Sequence, residues 1–435
     1  MYSVLLLNLA LYLYFFLRYR KKYSYTLSTV MYGYYTLIAT LGIFTVATGI
    51  YENVFQLDFN ENFEYTPYIL CFVSIWILIL PLNKITYKNL NFDEIPYNKL
   101  ATLAINCWIC LTIPFLLLKI YQTFLASSMG YNEMYNVTVE EGNAFKVLYG
   151  GNFILLKFNN FNTNLMNGFV PFVMCYAFYG LITKKIITQK AVFILLLIFI
   201  TKIFMALALG SRGNLFFTFW SFFFYLIIFY QHLPPQTKEL VKKIGSLAII
   251  MGIFYALAIS IARVGNSIYE TPLESIFRYF GEPFPNLGNL YWNKVELHPL
   301  GLRLFPYIFG IEYEAESVQD GYRYWYDFTG VPVLNFKTIF GDLYIEFGEI
   351  IAMLIIAFIS VSFMLFLGKK KISFWKIAII FWYFEIVLQG IFGFVKEGKS
   401  NLVVFIAIIL ISVVVKIYIN ITRKNGNTFN CTSIS

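Results

Sequence analysis

Long apolar runs separated by short polar segments dominate this chain. The runs lie at about 2–17, 28–50, 66–82, 100–121, 166–183, 190–209, 214–231, 245–263, 343–367, 373–394 and 400–419. Most approach the roughly 20 apolar residues that an α-helix needs to cross a hydrocarbon layer of about 30 Å. The pattern therefore predicts an all-α integral membrane protein with about eleven transmembrane helices. Residues 1–435 would form a single polytopic membrane domain.

Basic residues mark every second connection between these runs. Lysine or arginine clusters follow the first, third, fifth, seventh, ninth and last runs, whereas the connection 51–65 carries acidic residues and no basic one. Cytoplasmic loops of membrane proteins hold the excess of Lys and Arg. The alternation therefore predicts an N-terminus outside the cytoplasm and a C-terminus inside it.

The composition excludes several other classes of protein. Charged residues make up 13% of the chain, against about 25% in soluble domains. The net charge of +9 resides in the clusters beside apolar runs, so it follows the membrane rule and no nucleic-acid partner is expected. Two histidines and the absence of metalloprotease, P-loop and D-x-D motifs predict no metal site and no cofactor.

Two connections on the predicted outer side are long, at about 122–165 and 264–341. Loops of more than about 15 residues are uncommon in compact proteins and are often functional. The second loop is rich in aromatic residues, whereas disordered segments are poor in them. We therefore expect this large extracytoplasmic loop to be partly helical and to pack on the outer face of the membrane domain.

Several cations lie on the predicted outer side, against the general charge trend. Arg212 lies in the turn GSRG, where glycines permit close approach and the planar guanidinium suits bidentate phosphate binding. The other residues expected to bind a diphosphate are Arg263, Arg278 and Lys399. Arg303 and Arg323 lie on the same side. Each of these side chains could instead snorkel to the membrane interface.

Carboxylates and a histidine on the same side are candidates for a general base. Asp342 and Glu346 are spaced i, i+4, so they share one helical face. Glu282 and His298 lie in the large loop. Any of the four could accept a proton from a hydroxyl placed beside it. The alternative for the acidic pair is that anions stabilise a helix N-terminus.

Two ionisable residues, Lys202 and Glu385, lie within apolar runs. A charge at the centre of a bilayer costs about 2.5–3.5 kcal/mol on insertion scales, so such residues usually face the interior of the helix bundle in pairs. Both lie a little past the middle of their runs, at similar expected depth. This placement favours a structural ion pair over a proton relay.

The layout and two short segments resemble a known bacterial family. The turn ALALGSRGNLFF (206–217) and the segment GDLYIEFGEIIAML (341–354) are similar to those of oligosaccharide repeat unit polymerases, the O-antigen and capsule polymerases of the Wzy type. The resemblance implies a metal-independent, inverting glycosyltransferase of the GT-C type in the bacterial cytoplasmic membrane. It would polymerise undecaprenyl-diphosphate-linked oligosaccharide repeat units at the outer face. Its partners would be this lipid-linked glycan, membrane lipid and a chain-length regulator protein.

Two alternatives remain open at this point, and a third, a non-enzymatic membrane scaffold or receptor, would leave the cations on the outer side unexplained. An O-antigen ligase-like transferase would use the same lipid donor, and the sequence barely separates it from a polymerase. A lipid-linked oligosaccharide flippase or other secondary transporter would often show two related halves and helices broken at mid-membrane. The sequence shows no internal repeat, which favours a transferase.

Overall fold

The fold is almost entirely helical. The computed structural model describes residues 2–23, 25–55, 64–130, 144–208, 212–264, 271–309, 318–333, 335–394 and 398–431. The α-helices in these ranges are α1 (Tyr2–Tyr23), α2 (Leu27–Ala47), α3 (Ile50–Phe55), α4 (Thr66–Ile79), α5 (Lys99–Met129), α6 (Ala144–Tyr149), α7 (Phe153–Thr183), α8 (Thr188–Ala208), α9 (Arg212–Phe229), α10 (Pro235–Val264), α11 (Pro272–Gly281), α12 (Pro283–Asn286), α13 (Val318–Thr329), α14 (Thr338–Leu367), α15 (Ile377–Gln389) and α16 (Gly398–Cys431). The strands are β1 (Leu90–Asn91) and β2 (Ile372–Ser373).

Nine helices among the described residues are long and apolar enough to cross a membrane. They are α1, α2, α4 with the 3-10 turn that follows it, α5, α7, α8, α9, α14 and α16. Helices α10 and α15 cover the other two apolar runs, but α15 has 13 residues, fewer than the roughly 17 that a spanning helix needs. The chain is therefore an all-α multi-pass membrane protein, and the count of eleven spans stays a prediction.

Apolar side chains on the outside of the bundle face away from the protein. Along α14 the exposed residues include Ile350 at 69%, Leu354 at 63%, Phe358 at 72% and Leu365 at 76%. Their spacing places them on one face of the helix. Soluble proteins rarely expose large contiguous apolar patches. Such patches mark surfaces that contact a membrane or another protein. This face of α14 is suited to contact lipid.

The connections that are predicted to be cytoplasmic meet on one face of the bundle. Strand β1 follows α4 and pairs in parallel with β2, which follows α14, with Leu90 opposite Ile372. The Tyr87 ring stacks on the His232 ring, which follows α9, with 3.7 Å between their centroids. These contacts bring the basic loops after the third, seventh and ninth apolar runs together, as the charge alternation requires.

A second set of contacts joins two connections that are predicted to lie outside. The carboxylate of Glu64, which precedes α4, accepts hydrogen bonds from Trp292 Nε1 at 2.8 Å and from Asn293 Nδ2 at 3.0 Å in the large loop. These two loops therefore share one face of the bundle. These contacts show which loops lie on the same face of the bundle. Which of the two faces meets the cytoplasm stays a prediction.

The helices extend beyond the apolar runs at the connection 122–165. Helix α5 continues to Met129, and α7 begins at Phe153. Asn152 caps α7, because its side-chain oxygen accepts the Ile154 N–H at 2.9 Å. An apolar run marks only the part of a helix that faces hydrocarbon and does not include the polar ends of the helix. The loop predicted at 122–165 is therefore longer than the observed one. Residues 131–143 lie outside the described part of the chain.

Candidate functional site

Helix α14 is broken near its predicted outer end. Gly348 has φ +77° and ψ 175°, a conformation that residues with a Cβ rarely adopt. A break deprives the preceding carbonyls of their helical N–H donors. The large loop supplies two replacements, since His298 Nδ1 lies 2.9 Å from Ile345 O and Leu300 N donates to Glu346 O at 2.9 Å. The break therefore creates a docking edge for the loop.

The Glu346 carboxylate is buried at this edge and accepts hydrogen bonds at both oxygens. Its Oε1 accepts the backbone N–H of Gly301 at 2.8 Å and of Arg303 at 3.1 Å. Its Oε2 accepts Arg303 Nε at 3.0 Å. Closely spaced backbone N–H groups form an anion-binding concavity of this kind. Glu346 thus holds the large loop through the backbone N–H groups of Gly301 and Arg303 and through the side chain of Arg303.

Asp342 lies one turn earlier and joins three segments of the chain. Its Oδ1 accepts Arg303 Nη2 at 2.6 Å and lies 3.4 Å from Lys337 Nζ. Its Oδ2 accepts the backbone N–H of Phe394 at 2.7 Å, in the connection after α15. A Cβ at the preceding Gly393 would lie 3.0 Å from Asp342 Oδ2. Glycine at position 393 therefore lets that connection approach the carboxylate closely.

Arg303, Lys337, Asp342 and Glu346 together form what we term the charge cluster. Their side chains are between 0% and 7% exposed, and two positive charges face two negative ones. Lys337 Nζ also donates to the carbonyl of Val333. Buried charges are tolerated when they are paired and hydrogen-bonded, and removal of one partner is strongly destabilising. The charge cluster therefore fixes the large loop to the first turns of α14.

His298 is held at the break with one ring nitrogen committed. Because its Nδ1 faces the carbonyl of Ile345, Nδ1 carries the proton in the neutral ring and Nε2 is the acceptor. The side chain is half-buried, and a Cβ at Gly348 would lie 3.5 Å from Nε2. The ring meets Tyr344 edge-on, with 6.0 Å between centroids. An oriented imidazole of this kind is able to accept a proton from a hydroxyl.

A second ion pair lies at the C-terminal end of α11 in the large loop, between Arg278 in its last turn and Glu282 directly after it. Arg278 Nη1 contacts Glu282 Oε2 at 2.8 Å, and Glu282 is buried. Burial raises the pKa of Tyr291, and the carboxylates of Glu282 and Asp342 are among the groups that raise it further. The ion pair and the charge cluster therefore lie within electrostatic range of the same buried hydroxyl.

The predicted residues fall into three groups in the structure. Asp342, Glu346 and His298 lie together around the break in α14, and Glu282 lies with Arg278 at the C-terminal end of α11. The side chains of Arg212, Arg263 and Lys399 lie outside those that the structure describes. Their backbones lie at the start of α9, near the end of α10 and at the start of α16. The catalytic and binding roles of all eight residues stay predictions.

Arg303 and Lys337 complete the site, and the sequence did not identify them as members. Arg303 was recognised as an outer cation, but its partner Asp342 is 39 positions away. The acidic i, i+4 pair offered one usable signal, because two carboxylates on the face of an apolar helix require buried cations. The spacing of the two carboxylates does not identify which lysine or arginine residues pair with them.

Comparison of the chain with protein-family models, with curated proteins and with solved structures finds no match. The resemblance to repeat unit polymerases therefore rests on the layout and on the segments 206–217 and 341–354.

Proposed function

We propose that this protein is a glycosyltransferase that polymerises undecaprenyl-diphosphate-linked oligosaccharide repeat units at the outer face of the bacterial cytoplasmic membrane. The observation that supports this most directly is the placement of His298 at the break in α14. The imidazole is oriented by one nitrogen, and its loop is fixed by the charge cluster. A general base must be held in this way to act on a substrate hydroxyl.

In the proposed reaction, a hydroxyl of the acceptor sugar attacks the anomeric carbon of the donor glycan. The new C–O bond forms as the bond from that carbon to the diphosphate breaks, with inversion at the carbon. The hydroxyl proton passes to Nε2 of His298, and undecaprenyl diphosphate leaves with the bonding electrons. No metal or cofactor takes part in this scheme.

The leaving diphosphate requires fixed positive charge, because negative charge develops on it in the transition state. Arg212, Arg263, Arg278 and Lys399 are the proposed source of that charge. Arg278 already contacts Glu282, so it would act as part of an ion pair. The start of α9 at Arg212 offers backbone N–H groups in addition, since helix N-termini bind phosphates.

The charge cluster is proposed to position the site rather than to act as the base. Both oxygens of Glu346 accept hydrogen bonds, and Asp342 contacts two cations and one backbone N–H. Because the oxygens of both carboxylates already accept hydrogen bonds from the protein, neither carboxylate has an oxygen free to receive the proton of a substrate hydroxyl. Among the four candidates for the general base, His298 is therefore favoured.

The test uses the purified full-length protein in liposomes with lipid-linked repeat units from cells that lack its gene. Wild-type protein should lengthen these units into a ladder without added nucleotide sugar or metal. His298→Gln should slow ladder formation by about 10²–10⁴-fold, the usual contribution of a general base, and should lower the thermal stability by no more than the loss of its one hydrogen bond to Ile345 O. The matched control is His232→Gln, because His232 stacks on Tyr87 on the opposite face and should leave the ladder unchanged.

Other outcomes would reassign the function. A wild-type protein that moves the lipid across vesicles without lengthening the glycan would be a flippase. Transfer of the glycan only to an acceptor that lacks a polyprenyl lipid would indicate a ligase-like transferase. A normal ladder from His298→Gln would exclude His298 as the base.

A further inference from the structure

A polar cavity of about 240 Å³ lies inside the helix bundle. It is lined by residues of α7, α8, α9, α15 and α16. Most lining residues of α8, α15 and α16 lie in the half of each helix nearest the turns α8–α9 and α15–α16, whereas those of α9 run from Phe217 near its start to Tyr225 past its middle. Both turns are predicted to lie on the outer side. The cavity therefore extends from the proposed reaction side to about the middle of the membrane-spanning part of the protein.

The lining of the cavity is polar for a site at this depth. Amides come from Asn167, Gln389 and Asn401, and the charged groups are Lys202 and Glu385. Lys202 Nζ donates to Asn167 Oδ1 at 3.1 Å. Lys202 and Glu385 both line this one space, and the ion pair expected between them stays a prediction. Ionisable residues within a membrane are costly and usually mark functional sites.

Tyr225 is one of several buried tyrosines among the described residues whose hydroxyl has no hydrogen-bond partner, and of these it is the one that lines the cavity. The residue is 1% exposed. Buried hydroxyl groups are nearly always hydrogen-bonded, and an unsatisfied one in a native protein needs an explanation. The hydroxyl itself has almost no surface open to the cavity, so a polar ligand would provide the missing partner after a small movement of the Tyr225 side chain.

The chemistry of the lining indicates the class of ligand. The described lining has one positive and one negative side chain, so it suits neither an isolated anion nor a cation. Amides, hydroxyls of Thr218 and Ser221, and the faces of aromatic rings such as Phe217 offer donors, acceptors and apolar surface together. A neutral, polyhydroxylated ring uses all three. The volume has room for one ring rather than for an oligosaccharide.

We infer that this cavity binds one sugar residue of a lipid-linked repeat unit, and the inference rests on the proposed function for the identity of the substrate. The position of the cavity agrees with this role. Arg212 begins α9 six residues before Thr218, which is about 9 Å along a helix. The Phe392 ring, beyond the cavity residue Gln389, contacts the Tyr279 ring next to Arg278 with 5.4 Å between centroids. The cavity thus borders the helix ends proposed to hold the diphosphate.

The first test measures occupancy of the cavity by thiol protection, so that it does not depend on catalysis. Ser221→Cys is made in a chain whose five native cysteines are replaced by alanine. A small hydrophilic thiol reagent should label it, and lipid-linked repeat units should abolish the labelling. Undecaprenyl diphosphate without sugar should not protect. The matched control is Lys243→Cys, because the exposed position 243 near the opposite end of the bundle is open to the reagent and the substrate should have no effect there.

The second test keeps the native cysteines and removes only the unsatisfied hydroxyl. Tyr225→Phe should raise the KM for lipid-linked repeat units by about 3- to 10-fold, the value of one hydrogen bond, with little change in kcat.

Equal protection of Ser221→Cys by undecaprenyl diphosphate alone would assign the cavity to the diphosphate instead of a sugar. Unprotected labelling together with a normal KM for Tyr225→Phe would overturn the inference while leaving the polymerase proposal intact. Protection without any ladder would leave the sugar site intact and remove the polymerase proposal.

Discussion

Arg303 Nε donates to Glu346 Oε2 at 3.0 Å, although the two residues are 43 positions apart in the sequence. Both side chains are buried. This contact ties the large loop to the first turns of α14, directly before the break at Gly348. It also explains how His298, three residues before Gly301, is kept beside that break. Loop and helix therefore form one rigid support for the candidate base.

Replacement of Arg303 by methionine should destabilise the protein strongly. The substitution keeps an apolar stem but leaves the Glu346 and Asp342 carboxylates without their main cation. Removal of one partner from a buried pair costs about 3–5 kcal/mol. The free energy of unfolding can be measured by circular dichroism during titration with a denaturing detergent.

The matched control is Arg323→Met, because Arg323 lies in the same loop and is exposed. It should change the free energy of unfolding by no more than about 0.5 kcal/mol. The double variant Arg303→Met with Glu346→Leu should recover part of the lost stability, since the uncompensated charge is removed. Equal losses from Arg303→Met and Arg323→Met would show that the charge cluster does not stabilise the loop.

Gly348→Ala should also lower stability, for a different reason. Gly348 has φ +77°, and a residue with a Cβ in a sparsely populated region costs about 1–3 kcal/mol. Gly245→Ala is the control, because Gly245 lies in α10 with no atom near the added Cβ and no positive φ. That change should be neutral or stabilising by up to about 1 kcal/mol. The same denaturation measurement compares them, and equal effects would remove backbone strain as the cause.

The sequence predicted the helical architecture because the membrane imposes a long apolar run on every span. Helices occupy all of the predicted runs, and contacts between described loops bring three of the basic connections together. Spacing alone also placed Asp342 and Glu346 on one face, and both contact Arg303.

The geometry of the site could not be predicted in the same way. A glycine within GDLYIEFGEI is compatible with a continuous helix, so the break at Gly348 is visible only in the backbone. The partners of Arg303 are remote in sequence, because pairing across a loop depends on tertiary packing. The polar cavity likewise combines single residues from five helices, each unremarkable in its own apolar run.

The direction of the protein in the membrane gives a separate prediction. Reporters fused after Lys22 or Lys371 should read cytoplasmic, because basic clusters mark the inner side. Reporters at Asn136 or Asp320 should read external. Alkaline phosphatase and fluorescent protein fusions measure both sides in one set of strains. If positions 136 and 320 map to opposite sides, the number of spans between them is not the predicted one.

Arg212 provides the most direct test of the proposed diphosphate site. It begins α9, and helix N-termini favour phosphate groups through their backbone N–H groups and dipole. Lysine keeps the charge but loses the planar fork that binds two phosphate oxygens. Arg212→Lys should therefore be impaired in ladder formation and Arg212→Ala nearly inactive, with normal insertion and expression of both.

The matched control for Arg212→Ala is Lys243→Ala, because Lys243 forms an exposed pair with Glu239 near the opposite end of the bundle. Its ladder should equal that of the wild type. A chelator should have no effect on the wild-type ladder, since fixed protein cations are proposed to stabilise the leaving group in place of a metal. A normal ladder from Arg212→Ala would place the diphosphate elsewhere, whereas a ladder that disappears with the chelator would require a metal at the leaving group.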